Sequence, residues 1–160
     1  MLRIEAAQEK DVPLLLAFVR ELAEFEKLSH EVVATEALLR ENLFGPRKCA
    51  DAVVAYLEQT PVATGIYFYT FSTFLGKPGM YVEDIYVRPE FRSRGFGRAI
   101  FVHLARVAAE RGCGRMEWSV LDWNKKAIDF YENLGAKPTD EWKKYRLTGA
   151  ALTQLAAAQD

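Results

Sequence analysis

The chain has little that could bind a metal ion. Its 160 residues include only two cysteines and two histidines. Cys49 and Cys113 stand alone, without the close spacing of a metal-binding motif, so we expect reduced thiols and no metal site. His30 and His103 are also isolated, and His103 lies within a predicted helix. We expect structural or surface roles for both histidines.

The sequence also lacks an excess of charge and a long apolar run. It has 21 basic and 22 acidic residues, which disfavours the strongly basic surface of proteins that bind nucleic acids or anionic membranes. No apolar run approaches the roughly 20 residues that span a bilayer. The N-terminal residues 1–5 do not resemble a signal peptide. We therefore expect a cytoplasmic protein with no nucleic-acid or membrane partner, and its length predicts one domain over residues 1–160.

Hydrophobic periodicity predicts an alternation of strands and helices. A first strand over residues 2–6 is followed by two helices, which Asp11 and Thr35 are placed to cap. The later predicted strands are 52–57, 62–71, 80–87, 116–121 and 142–147, and later helices begin near Gly95 and Asn124. The alanine-rich tail, residues 149–160, is expected to be helical or frayed. This order predicts a mixed α/β or α+β sheet with helices on both faces.

The most informative stretch is the glycine turn, residues 92–97, which follows a predicted strand and opens a helix. Its sequence is Arg92-Ser93-Arg94-Gly95-Phe96-Gly97. The first N–H groups of a helix have no intrahelical partner and carry partial positive charge. Glycines let such groups approach a phosphate closely, and Arg92, Arg94 and Arg98 add charge. The turn therefore predicts an anion site, although an ordinary helix start is the alternative.

Two other nucleotide-binding motifs are excluded. A Walker loop requires Gly-Lys-Ser or Gly-Lys-Thr, which the chain does not contain. A dinucleotide-binding fingerprint requires a third small residue where this chain has Ile100. It is also usually found in the first strand–helix unit, whereas this turn lies past the middle of the chain.

The pattern Arg-x-x-Gly-x-Gly between a strand and a helix resembles the acetyl-CoA pyrophosphate loop of the GNAT family of N-acetyltransferases. Residues 20–29, 81–87 and 120–124 resemble the diamine acetyltransferase branch, most closely its thialysine Nε-acetyltransferase type. The resemblance runs in order from about residue 3 to residue 147. It implies a mixed, mostly antiparallel sheet whose fourth and fifth strands splay apart. The resulting cleft would hold the pantetheine arm of acetyl-CoA.

The resemblance also implies which residues hold acetyl-CoA. Backbone groups of Ile85 and Val87 would pair with the pantetheine arm as a strand does, and Asn124 would hydrogen-bond the arm. The complete implied set is Ile85, Tyr86, Val87, Arg92, Ser93, Arg94, Gly95, Phe96, Gly97, Arg98, Asn124, Lys126, Ala127 and Tyr131.

Acetylation of a primary amine requires a group that removes a proton. A lysine-like amine has a pKa near 10.4, so about one part in 2,500 is neutral at pH 7, a cost of roughly 4.6 kcal/mol. The resemblance implies that Glu83 accepts the proton through water and contacts the amine. It also implies that Asp84, Phe25 and Glu26 bind a cationic substrate. The alternatives are an edge-strand solubility charge for Glu83 and a solvated helix end for Glu26.

Strand periodicity predicts which face Glu83 occupies. Regular alternation places it on the face of Tyr81 and Ile85. It places Asp84 on the opposite face with Val82 and Tyr86. A local β-bulge, which is common beside active sites, would change this assignment.

Tyr131 is the candidate acid of the reaction. A phenol with a pKa near 10 can protonate a departing thiolate at neutral pH. Spacing alone favours the alternative, in which Tyr131 is an aromatic side chain that packs beside Ile128 and Leu134. The family motif Asn-x-x-Ala/Ser-x-x-Phe/Leu-Tyr, here residues 124–131, implies the catalytic role.

The resemblance finally implies a homodimer to which residues 142–147 contribute, and a small cationic amine as substrate. Ser72 stands where spermidine/spermine enzymes carry an acid, which favours a shorter, thialysine-like amine over a long polyamine. Compared with these enzymes, Gly79 is an extra residue between Gly76 and Tyr81. It would reshape the loop on the substrate side, so the identity of the amine is not fixed by the resemblance. One alternative is a protein lysine or N-terminal acetyltransferase. The other is a non-catalytic acyl-CoA sensor, and a sensor would be expected to lose Glu83 or Tyr131.

Overall fold

The computed structural model describes residues 1–158, which form two compact units. The first unit is Met1–Ser119 and the second begins at Val120. The first contains strands β1 (Leu2–Ala6), β2 (Asp51–Leu57), β3 (Thr60–Ser72), β4 (Lys77–Val87) and β5 (Met116–Trp118), and helices α1 (Val12–Phe25), α2 (Glu36–Phe44) and α3 (Phe96–Glu110). The second contains helices α4 (Lys125–Asn133) and α5 (Gly149–Ala157). No helix within residues 1–158 is long and apolar enough to cross a bilayer.

The five strands form one mixed sheet in the order β1-β2-β3-β4-β5. The first four strands are antiparallel to their neighbours, and β5 runs parallel to β4. The pairing of β5 covers only residues 80–82 of β4, so the end of β4, residues 83–87, extends beyond its neighbour. The predicted sheet class is therefore confirmed. Strand β5 is shorter than the predicted 116–121, and this shortness leaves the predicted opening between the two strands.

Helices cover both faces of this sheet, as predicted. On one face Ile100 and Leu104 of α3 pack with Val53 and Val62 of the sheet. On the other, Leu15 and Phe18 of α1 pack with Leu43 of α2 and with Val54 and Ile66 of the sheet. Burial of these side chains from water is the main force that holds the three layers together.

Of the two predicted helix caps, the one at Thr35 is confirmed and the one at Asp11 is wrong. Leu38 donates its backbone N–H to Oγ1 of Thr35 at 3.2 Å, which confirms the cap of α2. Asp11 precedes α1 as predicted, but its carboxylate instead accepts the backbone N–H of Gln8 at 2.8 Å. A short 3-10 helix, Glu9–Asp11, lies immediately before α1, and the Asp11 carboxylate closes that helix.

Turns along the hairpins are tighter than predicted. Strand β3 begins at Thr60 and leaves a two-residue connection in which Glu58 has a left-handed φ of 57°. Short hairpin loops favour such backbone angles because they match the twist of the flanking strands. Strand β4 likewise begins at Lys77, three residues before the predicted start.

The predicted strand over residues 142–147 is wrong. No helix or strand occurs in the structure between the end of α4 and the start of α5, and Trp142 and Tyr145 are exposed by 78% and 89%. Aromatic residues favour strands only where a neighbouring strand and a packed surface accept them.

The tail is helical over Gly149–Ala157, and its last two residues lie outside the described residues.

Candidate active site

A β-bulge lies at Glu83 in β4. Along the β3–β4 ladder Ile66 pairs with Asp84, whereas the next residue, Tyr67, pairs with Val82. Glu83 is therefore the extra residue between two regular stretches of pairing. Such an insertion reverses the alternation of the strand, since every later side chain moves to the opposite face.

The prediction that Val82 shares a face with Asp84 and Tyr86 is consequently wrong. Ile85 packs into the same hydrophobic cluster as Val82, on the α3 face of the sheet. Tyr86 packs into the cluster on the α1 face. Asp84, two residues before Tyr86, also belongs to the α1 face, and it is partly buried while Glu83 is exposed. The bulge therefore places the two neighbouring acids in different surroundings.

Three carboxylates form an acidic cluster, composed of Glu26, Glu83 and Asp84. Burial, then the charge of Glu83, then that of Glu26 raise the pKa of Asp84 to about 6. Burial also raises the pKa of Glu26, which caps the C-terminus of α1. The end of a helix and a bulged strand thus concentrate negative charge at one place. Such a place attracts a positively charged ligand, because the ligand relieves the repulsion among the carboxylates.

The glycine turn has the geometry that an anion site requires. Ser93 and Gly95 have left-handed φ angles of 61° and 80°, and α3 then begins at Phe96. The first backbone hydrogen bond of α3 runs from Ala99 N–H to Gly95 O at 2.9 Å. The amides before Ala99 therefore precede the helical hydrogen-bond pattern. A strained φ at a non-glycine residue such as Ser93 is a frequent feature of functional turns.

Acetyl-CoA fits this turn. A Cβ atom added to Gly95 would meet no atom within 4 Å, and one added to Gly97 would meet only Cγ2 of Val87, at 3.8 Å. The space in front of the turn is open, so a pyrophosphate can approach the amides. The end of β4, residues 83–87, pairs with β3 on one side but extends beyond β5 on the other. It lies directly before the turn in the chain, so its edge toward β5 offers backbone groups to an extended arm.

Two arginines of the glycine turn contact aromatic rings. Arg92 donates its Nε–H to Val87 O at 2.8 Å, and its guanidinium lies 4.5 Å from the ring centre of Phe25 and 5.5 Å from that of Tyr86. Arg94 lies over Phe96 at 5.1 Å. Arginine side chains at these distances are held by cation–π attraction. Tyr86 is buried, so only its backbone is suited to contact the cofactor.

An ion pair that the sequence did not predict holds α1 to the residue after β4. Arg88 donates to both carboxylate oxygens of Glu21, at 3.1 and 2.9 Å, and to Pro61 O at 2.9 Å. Its guanidinium also lies 4.7 Å from the ring centre of Phe18. Only the bidentate geometry identifies this contact, since Arg88 and Glu21 are 67 positions apart in sequence.

The second unit carries the remaining predicted site residues on and beside α4. Oδ1 of Asn124 accepts the backbone N–H of Ala127 at 3.2 Å and caps the helix. Tyr131 is partly buried, and its ring lies 5.5 Å from that of Phe130. Lys126 is exposed in the first turn. The helix thus starts at Asn124 as predicted, and the roles of Asn124, Lys126 and Tyr131 toward acetyl-CoA stay predictions.

The fold agrees with the class of enzyme that the sequence resembles. It has a mixed sheet with an opened strand pair, and a glycine turn lies at a helix start. The sequence model of the Acetyltransferase (GNAT) family matches residues 16–136. The chain belongs to this family, and it is an enzyme of the acetyl-CoA-dependent N-acetyltransferase class.

Individual relatives agree with the predicted branch. The chain is 40% identical to a thialysine N-epsilon-acetyltransferase of Sus scrofa, over 96% of each protein. It is 33% identical to an L-ornithine N5-acetyltransferase of Arabidopsis thaliana, over 96% of this chain and 87% of that protein. An integron cassette protein of V. cholerae has a similar solved structure, with a TM-score of 0.81, 25% identity and 98% of each chain covered. The predicted resemblance is confirmed.

Proposed function

We propose that this enzyme transfers the acetyl group of acetyl-CoA to a primary amine of a small cationic molecule. Thialysine, a lysine-like amino acid, a diamine and a polyamine are the candidate substrates. The observation that carries the proposal is the acidic cluster at the bulge, where the pKa of Asp84 rises to about 6. The names of the thialysine and ornithine acetyltransferases to which the chain is similar support an amine of this size.

In the proposed mechanism acetyl-CoA supplies the acetyl group as a thioester, and the residues of this chain move two protons. Asp84 and Glu26 hold the cation, with Phe25 beside them. Glu83 accepts one ammonium proton through water, and the freed amine attacks directly in a ternary complex. The N–C bond forms, the C–S bond breaks, and Tyr131 gives its phenolic proton to the departing sulfur. The acetylated nitrogen then loses its second proton, which restores the Tyr131 phenol, and the proton on Glu83 passes to solvent. A backbone N–H near Val87 polarises the thioester carbonyl.

Two rival hypotheses receive less support. A protein lysine or N-terminal acetyltransferase needs an open groove for a peptide, whereas the similar curated proteins carry names of small-amine enzymes. A non-catalytic acyl-CoA sensor would be expected to lose Glu83 or Tyr131, and both are present.

A substrate screen tests the proposal. Acetyl-CoA is mixed with enzyme and with lysine, thialysine, ornithine, diamines, polyamines or lysine-containing peptides, and the release of free thiol is followed. We expect thiol release with at least one small cationic amine, at a kcat/KM well above that for any peptide. Preference for a peptide would contradict the small-molecule proposal, and absence of release with every amine would favour the sensor hypothesis.

Gly97→Glu should abolish tight binding of CoA. The structure has room for a side chain at this position, so the protein should fold, but the new carboxylate would face the pyrophosphate. We expect the Kd of CoA by calorimetry to rise at least about tenfold, or 1.4 kcal/mol. Gly97→Gln is the matched control, because it adds the same volume without the charge and should weaken binding less. Equal binding by wild type and Gly97→Glu would show that the pyrophosphate lies elsewhere.

We also propose a homodimer. The exposed Trp142 and Tyr145 of the second unit support it, because large apolar side chains grouped on a surface commonly mark an interface. Light scattering at micromolar concentration should give twice the 18.2 kDa mass of one chain. Trp142→Ser should shift the mass toward that of one chain. A wild-type mass of one chain at this concentration would contradict the proposal.

The two units together are proposed to form one N-acetyltransferase domain over residues 1–160. The family match supports this, since it continues across the boundary between Ser119 and Val120. We further propose a cytoplasmic enzyme that needs no metal and binds neither nucleic acid nor membrane, on the grounds of composition given above.

A further inference from the structure

Arg92 contacts both the turn proposed to bind the cofactor and the helix proposed to bind the amine. It is the first residue of the glycine turn, and its Nε–H bonds to Val87 O, the last residue of β4. Its guanidinium lies 4.5 Å from the ring centre of Phe25, the last residue of α1. The ring centre of Tyr86 lies 5.5 Å away. One side chain therefore joins three elements that meet at this place.

The contact with Phe25 bears directly on the acidic cluster. Phe25 is followed by Glu26, whose charge acts on Asp84. Lys27 then has a left-handed φ of 61°, so the chain turns away from the helix immediately after Glu26. The position of Glu26 thus depends on how the last turn of α1 is held. Phe25 is 41% exposed, and the Arg92 guanidinium contacts its ring.

We propose that Arg92 is a positioning residue that couples the acetyl-CoA site to the amine site. This inference rests on the proposed function of the two sites. An anion bound at the glycine turn orders the backbone that carries Arg92. The ordered guanidinium holds Phe25, and Phe25 keeps Glu26 beside Asp84. Occupation of one site therefore lowers the cost of ordering the other, so each ligand tightens the binding of the other.

Arg94 provides a matched comparison within the same turn. Its guanidinium also lies over aromatic rings, those of Phe96 at 5.1 Å and Phe91 at 5.9 Å. Both rings belong to the turn and its flanking residues rather than to α1. A substitution of Arg94 should therefore weaken CoA binding without affecting communication with the amine site.

Calorimetric titration of CoA with and without saturating thialysine measures the coupling directly, because CoA carries no acetyl group and no turnover occurs. In wild type we expect thialysine to tighten CoA binding at least about fivefold. Arg92→Lys keeps the charge but loses the planar guanidinium and the Nε–H donor. In this variant the Kd of CoA measured with thialysine should lie within about twofold of the Kd measured without it. Phe25→Leu should do the same, and the double variant should lose nothing further.

Arg94→Lys should raise both Kd values and leave their ratio as in wild type. Arg92→Lys with a wild-type ratio, or Arg94→Lys with a ratio near one, would overturn the inference. If the wild-type enzyme binds CoA and acetylates thialysine but the two Kd values of CoA are equal, the coupling inference is overturned and the proposed function stands. A wild-type protein that neither binds CoA nor acetylates any amine would instead overturn the proposed function.

Discussion

Glu83→Gln is expected to lower kcat/KM for the amine about 10²–10⁴-fold at neutral pH, the range for loss of a positioned base. Glutamine keeps the size of the side chain but cannot accept the ammonium proton. The defect should shrink as pH rises toward the pKa of the amine, because the neutral amine then forms without help. Glu83 is exposed at the bulge, so the substitution should leave the fold intact. Initial rates of thiol release between pH 6 and pH 10 measure both effects.

Asp84→Asn is the matched comparison for this experiment. The pKa of Asp84 is raised to about 6, so its carboxylate is charged at pH 7 and becomes neutral as pH falls through 6. Wild type should therefore lose affinity for the amine below about pH 6, and KM should rise there. Asp84→Asn should show a high KM at every pH without that acidic change. An unchanged rate for Glu83→Gln at pH 7 would remove Glu83 from the mechanism, and a pH-rescued defect in Asp84→Asn would assign the proton to Asp84.

Tyr131→Phe is expected to lower kcat about 10²–10⁴-fold without rescue at high pH. Phenylalanine keeps the aromatic packing on α4 but cannot protonate the departing thiolate. Raising the pH makes more neutral amine yet supplies no acid, so the pH dependence should distinguish this variant from Glu83→Gln. Initial rates over the same pH range provide the measurement. The Kd of CoA should change little, since the proposed phosphate contacts come from the glycine turn.

Tyr145→Phe is a suitable control, because Tyr145 lies in the same unit and is 89% exposed. Removal of its hydroxyl should leave kcat as in wild type. If Tyr131→Phe is as active as Tyr145→Phe, then Tyr131 has the packing role that its helical spacing also allows, and another group must protonate the sulfur.

Features that depend on nearby residues could be predicted from the sequence. The cap of α2 joins Thr35 to an amide three residues later, and the glycine turn joins a positive φ at Gly95 to the first amides of α3. Strand β1 and the order of elements around the glycine turn also agree with prediction. In each case the interacting atoms lie within one turn of chain, so the local residue types largely determine the geometry.

Features that depend on distant pairing could not be predicted in this way. Two adjacent acids at 83 and 84 suggest a site, but only the register against β3 shows that Glu83 is the bulged residue. The strand predicted over 142–147 fails for a related reason, since aromatic content alone supplies no neighbouring strand. Register is a property of two strands together, and one strand's sequence leaves it open.

The sequence by itself therefore determined the family resemblance, the sheet class with helices on both faces, and the glycine turn as the candidate cofactor site. Only the tertiary structure decided the faces of Glu83 and Asp84, the rise of the Asp84 pKa, and the engagement of Arg92 with Phe25. Burial, charge repulsion and ring stacking act through space. They become defined only when folding brings the end of α1 against the end of β4.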